Sequence, residues 1–254
     1  MFRIVRGTGC PFGGVLLLLF VFAGCVLAES DTPSREALEN VRTWPLGAEL
    51  QGKRVNLRGE PSAKGPLLGQ FTDDMDAGEL LVIDVRHTGE EYAWYLTVSE
   101  KYGEGWIYGK YLRFLPEGDA LSRLFRRIRN DFGVNRAMME KRFGKPDQAE
   151  VDTLELADWN VAITSISLAY HGHNAVFWNY RGRDRLRLLE IAGGWMDFGG
   201  VLQGTPAEEI RDRLGEPFAG DATMLQYLLN REELLFYLEK GKVVSMLYRK
   251  AIFD

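Results

Sequence analysis

The sequence contains one close pair of histidines, His171 and His173, which have the clearest potential to hold a metal ion. Side chains two residues apart on a strand point to the same face, and zinc commonly takes histidine nitrogen ligands. Gly172 between them and Asn174 after them are, however, typical of a hairpin turn. We therefore predict a turn with no metal and no other cofactor. A metal-binding sensor built on His171 and His173 is kept as an alternative.

Covalent catalysis is not expected from this sequence. Its two cysteines, Cys10 and Cys25, both lie in the N-terminal signal segment, where Cys25 is either lipidated or removed, and the Gly-x-Ser-x-Gly turn of serine hydrolases is absent. Neighbouring acids such as Glu208-Glu209 lie in polar stretches typical of a solvated surface. We predict that the protein is not an enzyme. The alternative is a cell-wall (peptidoglycan) hydrolase, or a regulator of one, in which distant carboxylates meet in a cleft.

Aromatic residues are dense in two β-rich stretches near the middle of the chain. Aromatic-lined grooves receive extended peptides in several classes of binding module. Strand alternation places Trp94 and Tyr95 on opposite faces, and likewise Trp106 and Ile107, so the sequence leaves open which rings line a groove. The candidate ligand-groove residues are Tyr92, Trp94, Trp106, Tyr108 and Tyr111.

The stretch from Arg54 to Phe114 resembles the bacterial SH3 domain. Four blocks of the family pattern occur in order, namely Val55–Ser62, Leu67–Phe71, Ala93–Val98 and Gly105–Leu112. Gly59-Glu60 stands where the family usually has Ser-Gly. The resemblance implies a small β-barrel that binds cell-wall peptides or other proteins and has no catalytic activity.

The C-terminal half contains an internal repeat. Met139–Pro146 and Ile210–Pro217 share the order apolar, charged, charged, Arg, apolar, Gly, charged, Pro, and each is followed by β-rich sequence. Gly204–Pro217 also resembles the small outer-membrane lipoproteins that accompany the β-barrel assembly machinery, and the related β-lactamase-inhibitor repeat. That resemblance implies helices packed on one face of an antiparallel sheet and used for protein contact.

The N-terminus is typical of a secretory signal. Arg3 and Arg6 precede the apolar run Val15–Phe22, and small residues follow it. The run is shorter than the roughly 20 residues of a membrane span, which disfavours an uncleaved anchor. Cleavage after Ala28 fits ordinary signal peptidase, whereas Phe22-Ala23-Gly24-Cys25 resembles a bacterial lipobox. We favour lipidation of Cys25 over plain secretion.

Together these observations predict a mostly β protein with α+β character, in which an SH3-like β-barrel is followed by a tandem helix-plus-antiparallel-sheet repeat domain. The predicted segments are a signal peptide (1–28, with a lipobox ending at Cys25), a tether (29–45), the SH3-like barrel (46–116) and the α+β domain (119–254, with repeats at about 119–193 and 200–254).

The predicted function is that of a non-catalytic envelope lipoprotein that binds a protein or peptidoglycan partner. We expect it in the periplasm or cell envelope, attached to a membrane through a lipid on Cys25, or secreted if Cys25 is unmodified. The net charge of −5 disfavours a nucleic-acid partner.

Overall fold

The computed structural model describes residue 41 and residues 45–72, 78–156, 160–192 and 201–251. The predicted signal peptide with Cys25, most of the predicted tether and most of the segment predicted to join the two repeats lie outside these described residues. Within them the fold is mostly β, with two antiparallel sheets and short helices, which confirms the predicted mostly β class with α+β character.

The first sheet has seven strands in the order β3-β2-β6-β5-β4-β1-β7. Side chains from all seven strands meet in one apolar cluster that includes Leu57, Phe71 and Ile107, so the sheet curves around this core. Its strands are β1 (Leu46–Leu50), β2 (Val55–Arg58), β3 (Leu67–Phe71), β4 (Leu80–Arg86), β5 (Trp94–Ser99), β6 (Gly103–Tyr108) and β7 (Leu112–Phe114).

Strand β6 shows how the sequence determines which side chains enter this core. Gly103, Gly105 and Ile107 are buried, while the residues between them are more accessible, as the two-residue period of a strand requires. A Cβ atom on Gly105 would lie only 2.4 Å from Cγ of Leu57. Glycine is therefore needed at position 105, where the Leu57 side chain of β2 packs against the β6 backbone.

The second sheet has eight strands in the order β12-β13-β14-β15-β11-β10-β9-β8. It consists of two four-stranded meanders joined through the antiparallel pair β11 and β15. The strands are β8 (Gln148–Leu156), β9 (Val161–Tyr170), β10 (His173–Tyr180), β11 (Arg183–Ile191), β12 (Ala219–Gly220), β13 (Met224–Leu229), β14 (Glu232–Glu239) and β15 (Lys242–Lys250).

Three helices accompany the second sheet in the described part of the chain: α1 (Ala120–Phe132), α2 (Arg136–Phe143) and α3 (Ala207–Leu214). Each meander follows one helix, β8–β11 after α2 and β12–β15 after α3. Helices α2 and α3 end at Gly144 and Gly215, whose φ angles of 79° and 82° suit glycine. Side chains from all three helices share an apolar core with the sheet.

A third, smaller apolar cluster joins the first sheet to the helices. Leu81 and Val98, on β4 and β5, pack with Val134, which lies between α1 and α2, and with Met138 on α2. All four side chains are nearly fully buried. The seven-stranded sheet is therefore held against the helices of the C-terminal half. Among the described residues, no helix has the length and apolarity needed to cross a membrane.

Candidate ligand cleft

The predicted aromatic residues lie around a surface cleft on the first sheet. The cleft has a volume of about 340 Å³, and three of the five predicted aromatics line it. Its lining residues are Arg54, Asn56, Arg58, Ala63, Glu90, Trp94, Tyr108 and Tyr111. The cleft therefore combines aromatic faces with two guanidinium groups and one carboxylate.

Strand pairing positions the aromatic side of the cleft. Trp94 on β5 stands directly opposite Tyr108 on β6, so the two side chains emerge on the same face. Tyr111 follows in the single 3₁₀ turn Gly109–Tyr111. A Cβ atom on Gly109 would lie 2.9 Å from the Ala93 carbonyl oxygen, so glycine permits the close turn that brings Tyr111 back to the cleft.

Tyr108 is the centre of the aromatic group. Its ring centroid lies 5.2 Å from that of Trp94, 5.7 Å from that of Tyr92 and 6.4 Å from that of Tyr111. These spacings are typical of attractive edge-to-face and tilted ring contacts. Its hydroxyl oxygen accepts a hydrogen bond from the backbone N–H of Tyr92 at 3.1 Å. Tyr108 therefore fixes the rings on both sides of it.

Burial divides the aromatic residues into two roles. Trp94 is only 4% exposed and forms the floor of the cleft, whereas Tyr92 and Tyr111 are each 40% exposed. The indole N–H of Trp94 donates to Oε2 of Glu90 at 2.8 Å, which fixes the ring orientation. The floor is thus rigid, Tyr111 offers accessible surface within the cleft, and Tyr92 offers it beside the cleft.

The opposite side of the cleft is polar and basic. Arg58 donates from Nη1 to the Gly65 carbonyl oxygen at 2.7 Å, which holds its side chain across the β2–β3 connection. Arg54 lies at a φ of 60° just before β2, and it makes no ion pair with another described residue. With Glu90 as the single carboxylate, the cleft suits an extended ligand that carries an acidic or carbonyl-rich group beside an apolar one.

Two of the predicted groove residues lie outside the cleft lining. Tyr92 contacts it indirectly, through the Tyr108 ring. Trp106 lies two residues before Tyr108 on β6, opposite Leu96 on one side and Arg58 on the other. It therefore shares the face but stands further along the strand. Strand alternation separates the two faces of β6, but it gives neither the face that carries the cleft nor the position of the cleft along the strand.

The histidine pair does not converge on a common point. His171 is exposed in the turn between β9 and β10, whereas His173 is 3% exposed. The His173 ring stacks on Tyr170 with centroids 4.8 Å apart and contacts Phe143 at 4.7 Å. Burial lowers the pKa of His173. The described residues contain no group of three or more potential metal ligands.

A buried ion-pair cluster was not anticipated from the sequence. Arg126 and Arg129 on α1 both bond Glu79, which precedes β4 in the other sheet, at 2.8 and 2.7 Å. Arg129 also lies 3.5 Å from Glu232 on β14, and Glu232 accepts a 2.6 Å hydrogen bond from the Tyr248 hydroxyl. In isolation, the spacing of the arginines on this helix is typical of a basic, solvated face. Instead both arginines are 7% exposed, because Glu79 and Glu232 neutralise them inside the protein.

The cluster also controls the protonation of its members. Burial alone raises the pKa of Glu79, but Arg129 and Arg126 together hold it below its ordinary value. The pKa of Arg129 is raised, because Glu232 and Glu79 outweigh the opposing effect of burial. Both groups are thus charged at neutral pH, and each depends on the other to remain so in a buried site.

We predict that Glu79 makes folding sensitive to acid. Because its folded-state pKa is lowered, its stabilising contribution is complete above the unfolded value of about 4.3 and is lost as the pH falls through the folded value. The difference in free energy of unfolding between the wild type and Glu79→Gln should therefore be largest near neutrality and shrink in acid. Urea unfolding at a series of pH values checks this, with the exposed Glu216→Gln as control. A constant difference would contradict it.

Comparison with known proteins gives only partial similarities. Neither a scan of known protein families nor a search of curated proteins finds a match. An extracellular protein containing an SCP domain from Bacillus anthracis is 10% identical, with a TM-score of 0.36 over 48% of this chain and 44% of that one. A cysteine-rich secretory protein from Staphylococcus aureus is 12% identical, with a TM-score of 0.34 over 46% and 43%. This chain therefore matches less than half the length of either structure.

Proposed function

We propose that the protein is a non-catalytic envelope lipoprotein whose N-terminal sheet is an SH3-like module that binds an extended protein or cell-wall partner. The observation that carries this proposal is the cleft with Trp94 as its floor, Tyr111 as accessible surface, and Arg54 and Arg58 opposite. This combination of fixed aromatic faces with a few convergent polar groups is typical of ligand sites. Lipidation at Cys25 would hold the module at a membrane surface.

The C-terminal half supports a binding role in this proposal. A helix followed by a four-stranded meander occurs twice, with α2 and α3 ending at equivalent glycines. We interpret the two halves as the tandem repeat that the shared sequence pattern predicts. The buried cluster around Arg129 links α1 to both sheets. In this proposal the SH3-like module and the C-terminal repeat domain are therefore held together as one binding unit.

The chemistry of the cleft favours binding over the hydrolase alternative. Glu90 is the one carboxylate among its lining residues, and its Oε2 accepts the Trp94 indole N–H. Hydrolysis of a glycan by the usual route requires two carboxylates flanking the bond. A cleft lined in this way supports recognition of a ligand without cleavage.

Site-specific photocrosslinking tests the proposal in cells. A photoreactive benzoyl-phenylalanine is placed at position 111, which is 40% exposed in the cleft, or at position 237, which is 38% exposed on the second sheet. We expect an adduct with a protein or with peptidoglycan at position 111 and none at position 237. Equal labelling at both positions, or none at position 111, would contradict the proposal.

A second assay separates binding from hydrolysis. The purified full-length lipoprotein is incubated with purified peptidoglycan sacculi, and soluble fragments are measured after sedimentation. We expect no fragments beyond those released by buffer alone. Fragment release that is lost in Glu90→Gln would replace the proposal with the hydrolase alternative.

A further inference from the structure

The outer strand of the second sheet has an open edge. Strand β8 pairs with β9 along its whole length, from Gln148 opposite Ala169 to Leu156 opposite Val161. No described strand pairs with its other side. Every residue of β8 before Leu156 is exposed. By contrast, the other end of this sheet is β12, which has only two residues. A long exposed edge presents a row of backbone N–H and C=O groups that can pair with another strand.

The side chains of β8 give this edge a definite chemistry. Glu150 and Asp152 share one face of the strand, and Glu155 lies on the other. None of the three carboxylates forms an ion pair or a hydrogen bond with another described residue. Val151 is 64% exposed although its neighbour across the ladder, Ile166, is buried. The edge therefore combines free negative charge with the exposed apolar side chain of Val151.

A second copy of this chain is a poor occupant for the edge. Pairing two β8 strands would bring the carboxylates of both copies into one seam, and like charges facing each other across a ladder are destabilising. Charges on an edge strand are a common device against such self-association. A strand with lysine or arginine opposite Glu150 and Asp152, and an apolar residue opposite Val151, would satisfy all three positions.

We propose that the free edge of β8 binds an extended, cationic segment of another protein as an added strand. Main-chain hydrogen bonds to β8 would supply affinity, as in other cases of strand addition. The acidic side chains would supply selectivity for lysine and arginine. This surface is separate from the aromatic cleft, because none of the residues lining the cleft belongs to the second sheet.

The test uses nine-residue acetylated peptides with the full-length protein. The first peptide alternates lysine and valine, the second alternates glutamate and valine, and the third is the lysine peptide with two adjacent central residues, one lysine and one valine, N-methylated so that both hydrogen-bonding edges are blocked. The third keeps the charge but cannot form a continuous ladder. Binding is followed by fluorescence anisotropy, and protection of residues 148–156 by hydrogen exchange. We expect binding and protection with the first peptide alone.

Charge reversal on β8 supplies the matched comparison. Glu150→Lys with Asp152→Lys should weaken binding of the lysine peptide about tenfold or more and allow the glutamate peptide to bind. Asp212→Lys with Glu216→Lys changes the net charge equally at exposed positions elsewhere and should leave binding unchanged. Sedimentation follows self-association of each variant.

Several results would overturn the proposal. They are equal binding of the N-methylated peptide, an equal loss in the Asp212→Lys and Glu216→Lys control, a dimer of the wild type that the β8 variant abolishes, or no binding of the lysine peptide at all. Because all four substitutions are at exposed positions, circular dichroism is expected to show that both variants remain folded.

Discussion

Replacing Arg129 with methionine is expected to lower the free energy of unfolding by about 3 kcal/mol, because it removes the cation shared by the buried Glu232 and the partly buried Glu79. Arg129 is 2.7 Å from Glu79 and 3.5 Å from Glu232. Glu79 retains Arg126 in the variant, but Glu232, which is 8% exposed, is left with the Tyr248 hydroxyl. A buried carboxylate without its cation is strongly destabilising. Urea denaturation of the full chain measures the loss.

The control for this prediction is two positions away on the same helix. Arg127 pairs with Asp131 one turn along α1 in a partly exposed position, so Arg127→Met should lower stability by no more than about 1 kcal/mol. Arg129→Lys keeps the charge but loses the planar fork that reaches two carboxylates, and should give an intermediate value. Equal losses of unfolding free energy in Arg127→Met and Arg129→Met would show that the ion-pair cluster does not stabilise the packing of α1 against the two sheets.

Replacing Tyr108 with alanine is expected to weaken binding at the cleft by about 2 kcal/mol, or roughly 30-fold, which is typical of a central aromatic contact. The Tyr108 ring touches Trp94, Tyr92 and Tyr111, so its removal leaves the flanking rings without their support. The measurement is the affinity for the ligand captured at position 111, determined with the purified protein.

The conservative variant separates recognition from folding. Tyr108→Phe keeps the ring and loses only the hydroxyl that accepts from the Tyr92 backbone N–H. Since a net hydrogen bond is worth about 1 kcal/mol, its affinity should fall by less than about fivefold. A thermal melt of Tyr108→Ala confirms that the protein remains folded. An unchanged affinity in Tyr108→Ala would contradict the assignment of the cleft.

Local sequence patterns predicted much of what positions the cleft. The β-rich runs Tyr92–Val98 and Gly105–Gly109 predicted two strands, and the observed strands β5 and β6 pair so that Trp94 faces Tyr108. Such information is local, because strand period and glycine turns act over a few residues. The same local patterns could not place Trp106 outside the cleft, since it shares a face with Tyr108.

Local sequence patterns could not predict the buried ion-pair cluster around Arg129. Glu79 is 47 and 50 residues from the arginines that it bonds. Arg126 and Arg129 recur at a spacing that puts them on one face of α1, which in isolation indicates a solvated basic surface. Only the packing of both sheets against this helix brings Glu79 and Glu232 to them. Even Gly47 takes part, since a Cβ atom there would lie 2.5 Å from Oε1 of Glu79.

The extent of β8 was also underestimated from the sequence. The β-rich sequence pattern covers only residues 153–156 of this strand, whereas β8 begins at Gln148. Glu150 and Asp152 have low strand propensity, so the preceding residues gave little signal. Pairing with the long, half-buried β9 extends the strand, and the result is the acidic edge that we propose as a docking surface.

The most direct test of the binding proposal is the indole resonance of Trp94 during titration. The full-length protein is labelled with ¹⁵N, and the ligand captured at position 111 is added while the side-chain Nε1–H signal of Trp94 is followed. That N–H bonds Glu90 within the cleft, so it reports occupancy directly. We predict that this signal and the amides of residues 108–111 shift together and saturate with the bound fraction. Saturation of binding while the Trp94 signal and these amides stay unmoved would contradict the proposed site.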